Sequence, residues 1–102
     1  MAKYQSAYPV HPSEIVKDEI EFRNISQREL ARRMGIGASV LNELLNGRRP
    51  ITERTALMFE AVLGIEAEPL LRMQLQYNLR TMKQDNIFAK QLENLRRVAA
   101  ML

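Results

Sequence analysis

Apolar side chains recur along this chain at helical spacings, and no stretch alternates apolar and polar residues as a half-buried strand would. Ile15 with Phe22, and Val16 with Ile20, stand seven and four residues apart, which predicts a first helix beginning near Ser13 with these side chains on one face. Acidic residues crowd its first turns, where the positive end of a helix favours them. Ser26 is placed as the N-cap of a second helix. Glu29, three residues on, completes a capping box, and Leu30, Ala31 and Met34 form the buried side. Gly35 ends this helix, because a sharp turn needs a residue that tolerates positive φ. A third helix is expected from about Ala38 to Asn46, with Leu41, Leu44 and Leu45 inward and Gly47 as its stop. Thr52 caps a fourth, carrying Ala56, Leu57, Phe59, Val62 and Leu63 to Gly64. The fifth begins near Ala67, tolerates Pro69 in its first turn, and carries Leu71, Leu75, Leu79 and Met82.

The last twenty residues pose a separate question. Phe88, Leu92, Leu95, Ala99 and Leu102 follow spacings of 4, 3, 4 and 3, the seam of a short amphipathic helix, and Ile87, Val98 and Met101 widen the stripe. Two heptads are too short for an independent coiled coil. The helix therefore either packs on its own domain or contributes to a dimer interface or a partner groove. The organisation expected is all-α: a helix-turn-helix domain over residues 1–82, with the motif at about 26–46, and a helical extension over 83–102.

Composition narrows the class of protein. The chain has 102 residues, enough for one domain with a modest core. An apolar share of 46% and a charged share of 26% are those of an ordinary globular protein, so long disorder is not expected. Cysteine is absent, which excludes disulfides, thiolate metal sites and a cysteine nucleophile. No apolar run approaches the ~20 residues that span a bilayer, and "MAKYQSAYPVHPSEIV" lacks the apolar core of a secretory signal. A soluble cytoplasmic protein without membrane contact is the expectation.

The net charge of +3 is unevenly spread. Residues 23–54 hold seven arginines against three glutamates, a surplus of four, while residues 1–22 have a deficit of two and residues 55–102 a surplus of one. A cationic excess confined to one element suits a phosphate-binding surface. The alternative is an arginine-rich face that only meets solvent.

Catalysis finds little support. His11, the only histidine, stands directly before Pro12 at the entry to the first helix, where a local structural or capping role suits it better than that of a base. Acidic residues are scattered without a paired constellation. One histidine, no cysteine and no Asp-rich loop leave no expected metal site, and "GIG" is not followed by the lysine of a phosphate loop, so no cofactor is expected.

A binding architecture is better supported. Two short helices flank a tight turn with Gly35 and Gly37, and small Ala31 sits where the helices must pack closely. Gln27, first in the second helix, is placed to meet a phosphate with its side chain and the helix amides. Arg48 and Arg49 follow the third helix, where the chain could run along a nucleic-acid backbone.

The stretch "SQRELARRMGIGASVLNELLNGRRPITERTALMFEAVLG" resembles the phage-repressor (Cro/CI, or XRE) helix-turn-helix family. With "HPSEIVKDEI" upstream, in which Ser13 replaces the usual glycine, and "LLNGRRPIT", the resemblance narrows to antitoxins of the HigA or VapI type and covers about residues 11–80. It implies a five-helix lambda-repressor-like domain, usually dimeric, that binds double-stranded operator DNA and neutralises a RelE/HigB-like ribonuclease toxin. It also implies that Ala38, Ser39, Val40 and Asn42 face the major groove while Gln27, Arg28, Arg48 and Arg49 hold phosphates.

Three functions share this fold: an antitoxin that represses its own operon, a free-standing phage-like repressor, and a toxin-binding protein whose reading helix has decayed. Under the first, a homodimer places its third helices in successive major grooves, about 34 Å apart. Ser39 and Asn42 would bond to base edges and Ala38 and Val40 would meet thymine methyls. With no bidentate reader among them, selectivity would lean on methyl contacts, DNA shape and dimer spacing.

Overall fold

In the computed structural model, which describes residues 10–102, six helices account for the regular structure of the described residues. They are α1 Ser13–Phe22, α2 Gln27–Met34, α3 Ala38–Leu45, α4 Glu53–Leu63, α5 Ala67–Gln84 and α6 Asn86–Ala100. The first nine positions of the expected 1–82 domain, and the start of the segment read for a secretory signal, lie outside the described residues. No helix among those described is long and apolar enough to cross a membrane.

Each helix start has a local cause. His11 Nδ1 accepts the Ser13 backbone N–H at 3.1 Å and so begins α1 in place of a capping hydroxyl. Ser26 Oγ accepts the Glu29 N–H at 3.1 Å at the head of α2. The expected reciprocal half of that box does not form, because Glu29 turns its carboxylate to the guanidinium groups of Arg32 and Arg33 one turn on. The two-sided box is found at α4 instead, where Thr52 and Thr55 bond to each other's backbone N–H groups. Glu60 reaches from α4 to accept the Ala67 N–H at 2.8 Å, and Asp85 Oδ1 accepts from Ile87 and Phe88 to begin α6.

The core lies among α1 to α5. Val16, Leu30, Leu41, Leu44, Leu45, Ile51, Phe59, Leu63 and Leu70 are essentially removed from solvent, each side chain contributing about 1.5–3 kcal/mol by burial. Two sequence expectations need correction. Phe22, placed on the buried face of α1, is 87% exposed; Val16 and Ile20 carry that face, with Ile15 half-buried at its edge. On α5 the inward residues are Ala67, Leu70 and Gln74, while Leu75, Leu79 and Met82 stand open to solvent. The helix is rotated by one position because buried Gln74 bonds in two directions. Its Oε1 accepts the Ile51 N–H at 2.8 Å and its Nε2 donates to Asn78 at 2.9 Å. This pins the segment between α3 and α4 against α5, and a backbone N–H in that position could not otherwise be desolvated cheaply.

No residue of α6 is buried, and its main neighbour is α5. The molecule is correspondingly long, 56 × 29 × 21 Å, with a radius of gyration of 17.0 Å, against about 13 Å for a compact chain of this length. Of the C-terminal stripe, Phe88 and Leu92 are half-buried while Leu95, Val98, Met101 and Leu102 are exposed, so its own domain covers only the start of it.

Candidate nucleic-acid interface

Leu30, Ala31 and Met34 of α2 and Leu41, Leu44 and Leu45 of α3 belong to one buried cluster, and this fixes the two helices against each other. Gly35 makes the turn between them in the left-handed region, at φ 68°, and the Ile36 N–H closes it by donating to the Ala31 carbonyl at 3.1 Å. The chain then enters α3 through extended Gly37. The outcome is that the starts of α2 and α3 open onto one shallow cleft.

That cleft is lined by Gln27, Arg28, Ala38, Ser39, Asn42, Glu43 and Arg48. Six of the eight residues singled out from sequence are therefore brought together. The Asn42 Nδ2 donates to Gln27 Oε1 at 3.4 Å, so one hydrogen bond ties the first residue of α2 to the exposed face of α3. Asn46 donates to the Asn42 carbonyl at 2.8 Å and closes the end of that face. Helix starts carry unpaired N–H groups and partial positive charge, which together favour an anion such as a phosphate.

The other two expected residues sit elsewhere. Val40 is half-buried against the core and does not line the cleft. Arg49 also lies outside it, with Nε and Nη2 donating to Glu43 Oε2 at 3.1 and 2.8 Å. Sequence reasoning misses Glu43, although its place four residues after Ser39 puts it on the same face of a helix.

The arginine surplus is also partly answered within the fold. Arg32 and Arg33 share Glu29, and their hydrogen bonds push its carboxyl down to about 2. Arg23 pairs with Glu19 and donates to the Leu63 carbonyl. Arg28 and Arg48 are the arginines that line the cleft.

His11 has a structural role. Its ring is buried, meets Tyr77 edge-on at a centroid distance of 4.9 Å, and packs beside Gly47. Burial pushes its pKa below the usual imidazole value, against an opposing influence from Glu14. Among the described residues no cluster of histidine, cysteine and carboxylate side chains could hold a metal ion.

The arrangement has the parts of a major-groove reader: a short exposed helix face, flanked by helix starts and two arginines. Comparison with known proteins agrees. A helix-turn-helix family profile matches residues 17–70. Virulence-associated protein I of Dichelobacter nodosus is 34% identical over 77 residues, which is 74% of this chain and 71% of that protein. Among solved structures, the chain is similar to an addiction module antidote protein of the HigA family from Coxiella burnetii. That match has 31% identity and a TM-score of 0.74, and covers 85% of this chain and 94% of the other. The Pseudomonas aeruginosa antitoxin HigA, solved with the higBA promoter, is similar at 30% identity and a TM-score of 0.74, covering 84% and 92%.

Proposed function

The chain belongs to the phage-repressor (XRE) type of helix-turn-helix family, and on that premise we propose that it is a DNA-binding antitoxin that represses its own operon and neutralises a RelE/HigB-like ribonuclease toxin. It acts in the cytoplasm by binding rather than by catalysis. The observation that carries this reading is the single cleft that joins Gln27 and Arg28 of α2 to Ala38, Ser39 and Asn42 of α3 and to Arg48 beyond it.

In this reading α3 enters the major groove, Ser39 and Asn42 bond to base edges, and Ala38 meets a thymine methyl. Gln27, Arg28 and Arg48 hold the phosphates on either side, which sets the register of the helix without reading sequence. One α3 spans only a half-site, so two copies act together on an inverted repeat. The open apolar stripe of Leu75, Leu79 and Met82 on α5, with Leu95 and Val98 also exposed on α6, supports a second copy of the chain as its cover. The end of α5 and the extension over residues 83–102 then serve assembly, and the helix-turn-helix within residues 1–82 serves DNA.

Co-expression with the neighbouring reading frame, purification through a tag on this chain, and a mobility shift on the DNA upstream of the pair test the proposal. Recovery of a ribonuclease-sized partner and a shifted upstream fragment is the expected result. A shift without any partner would instead identify a free-standing repressor, and a partner without a shift would identify a toxin binder with no reading helix.

A further inference from the structure

We propose that Glu43 reads sequence directly, accepting a hydrogen bond from the exocyclic amine of a cytosine in the major groove, and that Arg49 is the residue that positions it. The inference rests on the DNA-binding reading above and supplies what the face of α3 otherwise lacks, a charged base reader.

A carboxylate is an unexpected lining for a surface that meets DNA. Duplex DNA carries one negative charge per about 1.7 Å of its axis, so an acid facing it is repelled unless it is neutralised and gains a contact. Both conditions are met in the geometry. Glu43 lines the cleft beside Ser39 and Asn42, and lies one helical turn beyond Ser39 on the same face. Arg49, which follows the stop at Gly47, reaches back to place Nε and Nη2 on a single carboxylate oxygen, Oε2, at 3.1 and 2.8 Å. The pair is neutral as a unit, and Oε1 is not engaged by Arg49.

Stability does not explain the pair. Its side chains are 47% and 42% exposed, and ion pairs so exposed contribute little to folding. A held carboxylate does have a distinct use in the major groove. Cytosine presents an N4 amine there as a donor with no acceptor beside it on the same base. Adenine sets its N6 amine next to the N7 acceptor, and guanine O6 and N7 and thymine O4 are acceptors, all of which a carboxylate repels. Glu43 therefore selects for cytosine and against guanine and thymine by one contact. The Arg49 fork holds the acceptor in place and removes the repulsion that an unpaired acid would feel from the flanking phosphates.

The test is selection from a randomised duplex library by the full-length protein, alongside Glu43→Gln, Glu43→Ala and Arg49→Ala, with thermal melting to confirm that each variant folds. The wild-type chain should enrich an inverted repeat with a fixed cytosine in each half-site. Glu43→Ala should lose preference at that base pair alone, by on the order of tenfold. Glu43→Gln should exchange cytosine for adenine, because a carboxamide pairs with adenine N6 and N7. Arg49→Ala should weaken the same cytosine preference and leave the other positions intact. If Glu43→Ala keeps every wild-type preference, or weakens all positions equally, Glu43 is not a reader, and the DNA-binding function stands without it. If the wild-type chain enriches no motif, the DNA-binding reading itself fails, and this assignment with it.

Discussion

Asn42 on α3 and Gln27 at the start of α2 are joined by a hydrogen bond of 3.4 Å across the cleft, from the Asn42 amide to Gln27 Oε1. The bond is long and exposed, so each side chain can turn to a DNA group without loss to the fold. Their contributions should separate. Asn42→Ala is expected to weaken the operator by roughly tenfold and leave random duplex nearly unchanged, because a base contact is lost. Gln27→Ala should weaken both alike, because a backbone contact is lost. Fluorescence anisotropy against operator and scrambled duplexes distinguishes the two outcomes.

Arg48 lines the cleft beside Arg28, whereas Arg49 is held by Glu43. Removing one phosphate contact lowers the dependence of log affinity on log salt by about 0.9. Arg48→Ala should therefore flatten that slope by about one unit on specific and random DNA alike. An unchanged slope across a salt titration would remove Arg48 from the phosphate contacts.

His11 gives the fold a pH dependence of definite sign. Burial lowers its pKa in the folded chain, so the unfolded chain takes up a proton first as pH falls. Stability contributed by neutral His11 is present above the unfolded value of about 6.5 and is lost as pH drops below it. The melting temperature should decline over that range, and the decline should be shallower in His11→Asn. A His11→Asn profile that parallels the wild type would assign the effect to other groups.

Two glycines of one turn should respond differently to the same change. A Cβ on Gly35 would meet no atom within 4 Å, yet its φ of 68° makes any side chain unfavourable, by about 1–2 kcal/mol. Gly37 is extended at φ −66°, with only Val40 near, at 3.9 Å. Urea titration should find Gly35→Ala destabilised by about 1 kcal/mol and Gly37→Ala near neutral. Equal losses would mean that backbone strain at Gly35 is not what selects glycine there.

Leu79 is 49% exposed and belongs to the open stripe of α5. Leu79→Glu should keep the melting temperature of the folded domain, halve the mass seen by light scattering, and weaken the operator by on the order of a hundredfold as paired half-sites are lost. A dimer that survives this change would place the second copy on another face.

Punctuation is the most readable part of the sequence. Ser26, Gly35, Thr52 and Gly64 act on the backbone within one turn of themselves, so helix ends follow from them with little help from the rest of the fold. The register of α5 is not readable in the same way. Leu71, Leu75 and Leu79 make a convincing apolar row, but the helix turns Gln74 inward because a distant N–H, that of Ile51, needs an acceptor. Such a demand comes from the assembled fold and leaves no periodic trace. The cleft is legible in six of its residues because they surround a turn that sequence can place. Glu43 escapes because an acid looks misplaced on a DNA-facing helix. Its neutralising partner, Arg49, stands in a segment that only folding brings back beside it.

Under the proposed pairing of two copies, the open flank of α6 makes concentration a structural variable for this chain. A 15-residue helix is marginal in water by itself, and most helices in proteins are held by the packing of an apolar face. Because α6 buries no side chain, its order is linked to whatever covers it. Dilution below the association threshold should then appear as a loss of ellipticity confined to the C-terminal turns, while the core around Phe59 and Leu41 stays protected from amide exchange. The chain would thus report its own degree of assembly through how much of it is helical.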